Sequence, residues 1–157
     1  MTGRLVLLKG TFPMTQKRKT FDEIYMDLAV DLSARSTCAR TSVGCAIVSM
    51  NNTRVLSIGY NGSWQGGPNS CDSDEPGNCG CLHAEDNALI KSNYSEVKGA
   101  KAYITLSPCA ACAKRFINAG IAEVIYLSEY RKKDGIEVLK KAGIKVSQIV
   151  DGNLQVK

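Results

Sequence analysis

The chain has 157 residues, enough for a single domain with a substantial core. Apolar residues make up 44% and charged residues 22%, an ordinary balance for a soluble globular protein. A net charge of +5 and a pI near 8.8 suit a phosphate-bearing small molecule or plain solubility, and fall short of the dense basic face of a dedicated nucleic-acid binder. The longest apolar runs, Val43–Val48 and Val124–Leu127, are strand-sized and far below the ~20 residues that cross a bilayer.

Met1–Lys9 carries an apolar patch, Leu5–Leu8, behind one arginine. It is too short for a signal sequence and no small-residue cleavage site follows it, so the expected location is the cytoplasm. Residues 1–18 read as an N-terminal extension, with Met14 a second start inside it, and residues 19–157 as one domain.

The first helix opens at a capping box, Thr20 to Glu23, and carries Phe21, Ile24, Tyr25, Leu28, Ala29 and Leu32 at helical spacing, ending near Arg35. Val43–Met50 is apolar and β-branched, a buried strand, and Arg54–Tyr60 returns after an Asn51-Asn52 turn. Residues 61–80 are rich in Gly, Asn, Ser, Pro and Asp, and loops of that length are functional or tied down. A helix over Leu82–Ser92, a strand over Ala100–Leu106 and a helix over Pro108–Ala119 follow, the last with Pro in its first turn and Gly120 as its cap. Ala122–Leu127 reads as a strand. Asp134–Ala142 reads as a helix opened by an Asp-x-x-Glu cap and closed by Gly143, and Ile144–Val150 as the last strand. The order α-β-β-α-β-α-β-α-β argues for a layered α/β domain.

Seven cysteines and a single histidine, His83, narrow the chemistry. In a reducing compartment clustered cysteines bind metal more often than they pair. His83-Ala84-Glu85 and Pro108-Cys109-Ala110-Ala111-Cys112 both fall at expected helix starts. Cys109 and Cys112 are three apart and share a helix face, where the helix N-terminus favours thiolate. One imidazole and two thiolates give three zinc ligands and leave the fourth position open for water, the arrangement of a catalytic site. Glu85 lies two residues from His83, within reach of that position without being a ligand. The competing readings are a Cys109–Cys112 redox pair, a core histidine, and a first-turn glutamate favoured by the helix dipole. None explains the whole set.

The set resembles the signature of the zinc deaminases, His-x-Glu followed by Pro-Cys-x-x-Cys. More specifically, residues 20–150 resemble the deoxycytidylate (dCMP) deaminase family of the cytidine deaminase-like superfamily. The resemblance rests on Ser42–Val48, on Gly59-Tyr60-Asn61-Gly62, on His83–Ala88, on Ser107–Cys112 and on Asn118-Ala119-Gly120-Ile121. It implies a three-layer α/β/α fold around a five-stranded mixed sheet. It implies hydrolysis of dCMP to dUMP and ammonia, a precursor supply for thymidylate, with Zn2+ held by His83, Cys109 and Cys112 and Glu85 as base and then acid. It also implies a homo-oligomer, commonly a hexamer, activated by dCTP and inhibited by dTTP.

By the same resemblance Asn61 contacts the sugar, and Tyr130 flanks the base in preference to Tyr126, whose mid-strand position suits the core. The backbone N–H groups of Ala84 and Cys109 are candidates to position the base. Arg40 is the first choice for phosphate, with Arg35, Arg131 and Lys132 as others. A further structural zinc is implied on Cys38, Cys71, Cys79 and Cys81, although Cys79 and Cys81 stand closer together than the usual ligand spacing; free thiols are the alternative, and Cys45 reads as core. Three rival functions stay open. The first is a deaminase of a 5-modified dCMP. The second is a nucleic-acid editing deaminase, against which stand 6% aromatics and scattered charge. The third is a non-catalytic zinc module, which has no use for Glu85.

Overall fold

The computed structural model describes residues 17–157. The expectations for Met14 and most of the N-terminal extension lie outside the described residues. The helices are α1 (Phe21–Ser33), α2 (Ala84–Ile90), α3 (Tyr94–Val97), α4 (Ala110–Ala119) and α5 (Asp134–Lys141). The strands are β1 (Gly44–Val48), β2 (Val55–Tyr60), β3 (Lys101–Leu106), β4 (Glu123–Ser128), β5 (Lys145–Val150) and β6 (Asn153–Val156).

The strands form one mixed sheet in the order β2-β1-β3-β4-β5-β6. Strands β3, β4 and β5 run parallel, while β1 is antiparallel to both β2 and β3, and β6 is antiparallel to β5. The expected five-stranded sheet is therefore corrected to six strands. The added strand follows an Asp151-Gly152 turn, a strong hairpin signal. All four of its residues are exposed, so no apolar alternation marks it in the sequence.

Both faces of the sheet are covered, which is why β1 reads as an unbroken apolar run. Cys45, Ile47, Ala102, Ile104, Val124 and Tyr126 point into a core built with α2, α4 and α5. Their neighbours Ala46, Val48, Tyr103 and Ile125 point the other way, onto Tyr25, Met26 and Ala29 of α1. The aromatic hydroxyls on that side find partners: Tyr103 donates to Asp22 at 2.7 Å and Tyr25 to the Asn52 carbonyl at 2.6 Å.

The capping box of α1 is present in full: the Glu23 N–H donates to Thr20 Oγ1 at 3.2 Å, and the Thr20 N–H to Glu23 Oε2 at 2.6 Å. At α5 the expected cap is corrected. Asp134 is the first helical residue and accepts from the adjacent Gly135 N–H, and the N-cap Lys133 makes no side-chain cap. The short α3, capped by Asn93, went unseen because one turn carries no periodicity.

Gly59 sets the distance between sheet and helix on the side that matters for function. A Cβ there would stand 2.1 Å from the Ala84 carbonyl oxygen and 2.5 Å from the Ala88 nitrogen, both backbone atoms of α2. Gly59→Ala therefore pushes α2 off the sheet. The expected cost is about 1–3 kcal/mol or more, read as a melting temperature several degrees lower.

Candidate active site

Two helix starts converge over the carboxyl ends of the central strands, the usual position for a site in a parallel sheet. Strand β3 runs into Ser107-Pro108-Cys109, where Cys109 is the N-cap of α4. His83 is the N-cap of α2, and neither cap residue spends its side chain on the helix. Both side chains are thus free to face one another. His83 Nδ1 lies 3.7 Å from Cys109 Sγ and 3.4 Å from Cys112 Sγ.

The three donor atoms lie within 4.8 Å of one another. Tetrahedral zinc with bonds of about 2.3 Å to sulfur and 2.0–2.1 Å to nitrogen requires N···S edges of about 3.6 Å. The observed edges bracket that value, so the set fits the ion.

Without a metal, the same proximity sorts the protons. Hydrogen bonds from Cys112 and His83 hold the Cys109 thiol down at about 3. The hydrogen bond to Cys109 raises His83 to about 9 against the opposing effect of burial. Cys112 is pushed up by its hydrogen bond to Cys109 and by burial. Loading a metal on these three atoms therefore displaces the protons of His83 and Cys112.

Glu85 sits in the first turn of α2 and is 4% exposed. Burial raises its carboxyl to about 7, partly opposed by a backbone hydrogen bond and the His83 charge. It lines a cavity of about 340 Å³, within the range of small-molecule sites. His83, Ala84 and Cys109 share that wall, and Asn61, Tyr130 and Arg40 stand around it.

The Asn61 side chain is buried and already engaged. Its Oδ1 accepts from the Val43 N–H and its Nδ2 donates to the Thr41 carbonyl, each at 2.8 Å. It thus holds the strip 41–43 against the cavity, with one N–H and one lone pair left for a ligand. Arg40 donates to the Asp74 carbonyl. Arg131 lines the cavity with its guanidinium 5.6 Å over the Tyr130 ring. Arg35 stacks on Tyr60 instead, Lys132 is exposed, and neither lines the cavity. Tyr126 is wholly buried in the core. Ser107, which the sequence offers only as part of the Ser107–Cys112 match, is buried, accepts the Tyr130 N–H at 2.8 Å and so sets that residue.

A second cluster forms one wall of the same cavity. The sulfurs of Cys38, Cys71, Cys79 and Cys81 lie within 4.8 Å of one another. Cys38 and Cys81 each stand 3.5 Å from Cys71, and Cys38 stands 3.9 Å from Cys79. Sulfurs around a tetrahedral zinc are about 3.8 Å apart, so this set also fits. Gly80, with φ +80°, turns the chain between Cys79 and Cys81 so that both thiols reach the cluster despite their tight spacing. Burial works against ionisation of Cys38, but the N–H groups of Arg40 and Thr41 and the Cys71 thiol outweigh it and hold it at about 7.

Residues 19–128 match the cytidine and deoxycytidylate deaminase zinc-binding region. The chain belongs to that family. It is 37% identical over 143 residues to the deoxycytidylate deaminase of Saccharomyces cerevisiae, a match covering 83% of this chain and 45% of that protein. This chain thus spans less than half the length of that relative. It is 32% identical over 127 residues to the deoxycytidylate deaminase of Mycobacterium phage D29, covering 71% of this chain and 98% of that one. Among solved structures it resembles the dCMP deaminase of cyanophage S-TIM5 in complex with dCMP and dUMP, with a TM-score of 0.73 and 34% identity over 85% of this chain and 99% of that one. The fold is the cytidine deaminase-like α/β fold, and the matched region is a zinc-binding one.

The buried carboxyl gives a pH signature. Glu85 keeps its proton to about pH 7 when folded but loses it near 4.5 when unfolded. Its contribution to stability is fully present below 4.5 and is lost as pH rises through about 7. In metal-free protein, Glu85→Gln should match the wild type at pH 4 and exceed it at pH 8 by up to about 3 kcal/mol. Denaturant unfolding at the two pH values measures the difference.

Proposed function

We propose that this chain hydrolyses dCMP to dUMP and ammonia, with His83, Cys109 and Cys112 holding zinc and Glu85 moving the protons. The observation that carries the proposal is Glu85 itself: a buried carboxyl on a cavity wall beside three metal-ligand atoms. A purely structural metal site has no need of such a group. Bound zinc supplies a Lewis acid that makes water a competent nucleophile near neutral pH.

Glu85 accepts the proton of the attacking water, delivers it to the ring nitrogen, and then carries the second proton to the departing amine. Water adds at the carbon bearing the amine, the carbon–nitrogen bond breaks, and ammonia leaves. The N–H groups at the starts of α2 and α4, on Ala84 and Cys109, are proposed to orient the base. Tyr130 would flank its ring and Asn61 the sugar. Arg40 and Arg131 are the two arginines lining the cavity, and the phosphate is assigned to them. Support for this substrate comes from the relatives named above, two of them phage enzymes of similar length.

The four-cysteine cluster is proposed to hold a structural zinc that ties strip 38–43 to loop 71–81. A second cavity follows the Gly59–Gly62 element, lined by Tyr60, Trp64, Gly67 and Lys91, and dCTP or dTTP is assigned to it as effector. Exposed Phe21, Ile24 and Val30 on α1 offer apolar surface for a homo-oligomer, the hexamer of the resemblance. Among the described residues no helix is long and apolar enough to cross a membrane. We place the protein in the cytoplasm, where its metal-binding thiols stay reduced.

The deciding assay is ammonia release from dCMP, CMP, deoxycytidine, 5-methyl-dCMP and single-stranded DNA. Turnover of dCMP, lost by 10²–10⁴-fold or more in Glu85→Gln with catalytic zinc retained, is the expected result. Preference for the nucleoside, the methylated nucleotide or the polymer would overturn the substrate assignment. Metal analysis tests the second site: the wild type should hold two zinc ions per chain and Cys71→Ser one. A wild type with one ion, unchanged in Cys71→Ser, would leave those thiols free.

A further inference from the structure

Two charged side chains beside the metal ligands belong to none of the roles above. Asp86 follows Glu85 in the first turn of α2, three residues after His83. Arg115 lies one turn into α4, three residues after Cys112. Arg115 Nε stands 3.1 Å from Asp86 Oδ1. Its Nη1 points at Cys112 Sγ, 3.9 Å away. One guanidinium therefore faces a carboxylate on one ligand-bearing helix and a ligand sulfur on the other.

This is not an ordinary surface pair. The Asp86 side chain is 15% exposed, and its Oδ1 is sealed from solvent with no aligned hydrogen bond. That oxygen's one ion-pair partner among the described residues is Arg115. Surface ion pairs contribute little because water competes for both partners; here the carboxylate oxygen that faces Arg115 is sealed from water. Among the described residues this is also the one ion pair that joins α2 to α4.

We infer that Arg115 is a positioning residue of the metal centre, held by Asp86 so that it clamps the two ligand helices together and donates to the Cys112 sulfur. Arginine suits the task because its planar fork can address two acceptors at once, which a lysine ammonium cannot do in fixed geometry. A donor on a ligand thiolate draws off part of its charge and fixes its direction toward the ion. The bond to Asp86 keeps the guanidinium from swinging into solvent, where half of it already lies.

The inference rests on the metal reading of His83, Cys109 and Cys112, and the test separates the two. Zinc-loaded wild type, R115M, R115K and D86N are titrated with a competing chelator, and the same proteins are prepared with cobalt to read the thiolate-to-metal charge-transfer band. R115M keeps the apolar stem at a half-exposed position, so folding is preserved. The expected result is zinc release at about tenfold lower chelator strength in R115M and D86N, smaller loosening in R115K, and a displaced charge-transfer band in R115M. The D86N/R115M double variant should be no looser than R115M, because the two act as one unit. An R115M protein with the wild-type chelator midpoint, or with an unmoved band, overturns the inference. A wild type whose metal content is unchanged by H83A overturns the metal centre itself.

Discussion

Everything in this molecule follows from bringing two helix N-termini to one point. His83 and the two cysteines lie on different helices, and their three donor atoms must sit about 3.6 Å apart to share an ion. That tolerance is finer than the width of a methyl group, so the backbone of α2 must lie directly on the sheet. Gly59 allows this contact. The alternating apolar residues of β1, β3 and β4 then hold the sheet rigid from both sides. Once α2 is seated, Glu85 is delivered with it, since a residue in the first turn cannot move independently of the N-cap before it. On the reading proposed above, the ligating imidazole and the proton carrier are thus positioned by a single helix. The same burial that fixes the carboxyl raises its pKa to about 7 in the metal-free protein.

The parts of this arrangement that were legible in the sequence are those encoded locally. His83-Ala84-Glu85 and Pro108 through Cys112 each sit within one helix start, so spacing alone gives their geometry. Thr20 and Glu23 are legible for the same reason. The set Cys38, Cys71, Cys79 and Cys81, spread over 43 positions, is legible only through the family resemblance, and the turn at Gly80 accommodates its one-residue gap. What depends on packing between distant segments is not legible. Strand β6 is exposed on both faces and leaves no hydrophobic trace. Asp86 and Arg115 look like ordinary helix-surface charges; only the packing of α2 against α4 turns them into a half-buried pair. Arg40 was preferred over Arg131 for phosphate, yet both line the cavity, because the Gly77 loop folds back over the β4–α5 connection.

The site divides its labour along a structural boundary. On the reading proposed above, the chemistry rests on α2 and α4, regular elements locked by core packing. The rest of the cavity wall comes from irregular segments: 38–43, 77–81 and 130–131. Irregular backbone is expensive to hold, at about 1–2 kcal/mol of ordering entropy per residue. The loop 71–81 buries little apolar surface to offset that cost. A four-thiolate zinc site contributes on the order of 10–16 kcal/mol of apparent binding free energy, the same size as the cost of ordering roughly that many residues. On the reading proposed above, the second metal therefore does for the cavity wall what the hydrophobic core does for the helices. It lets the wall be built from residues such as Gly77, Asn78 and Gly80, which present backbone and amide groups to a polar ligand, where apolar side chains would serve only packing. Changes in such a wall can retune which cytosine derivative fits without disturbing the proton chemistry at Glu85, because the two are stabilised by separate interactions.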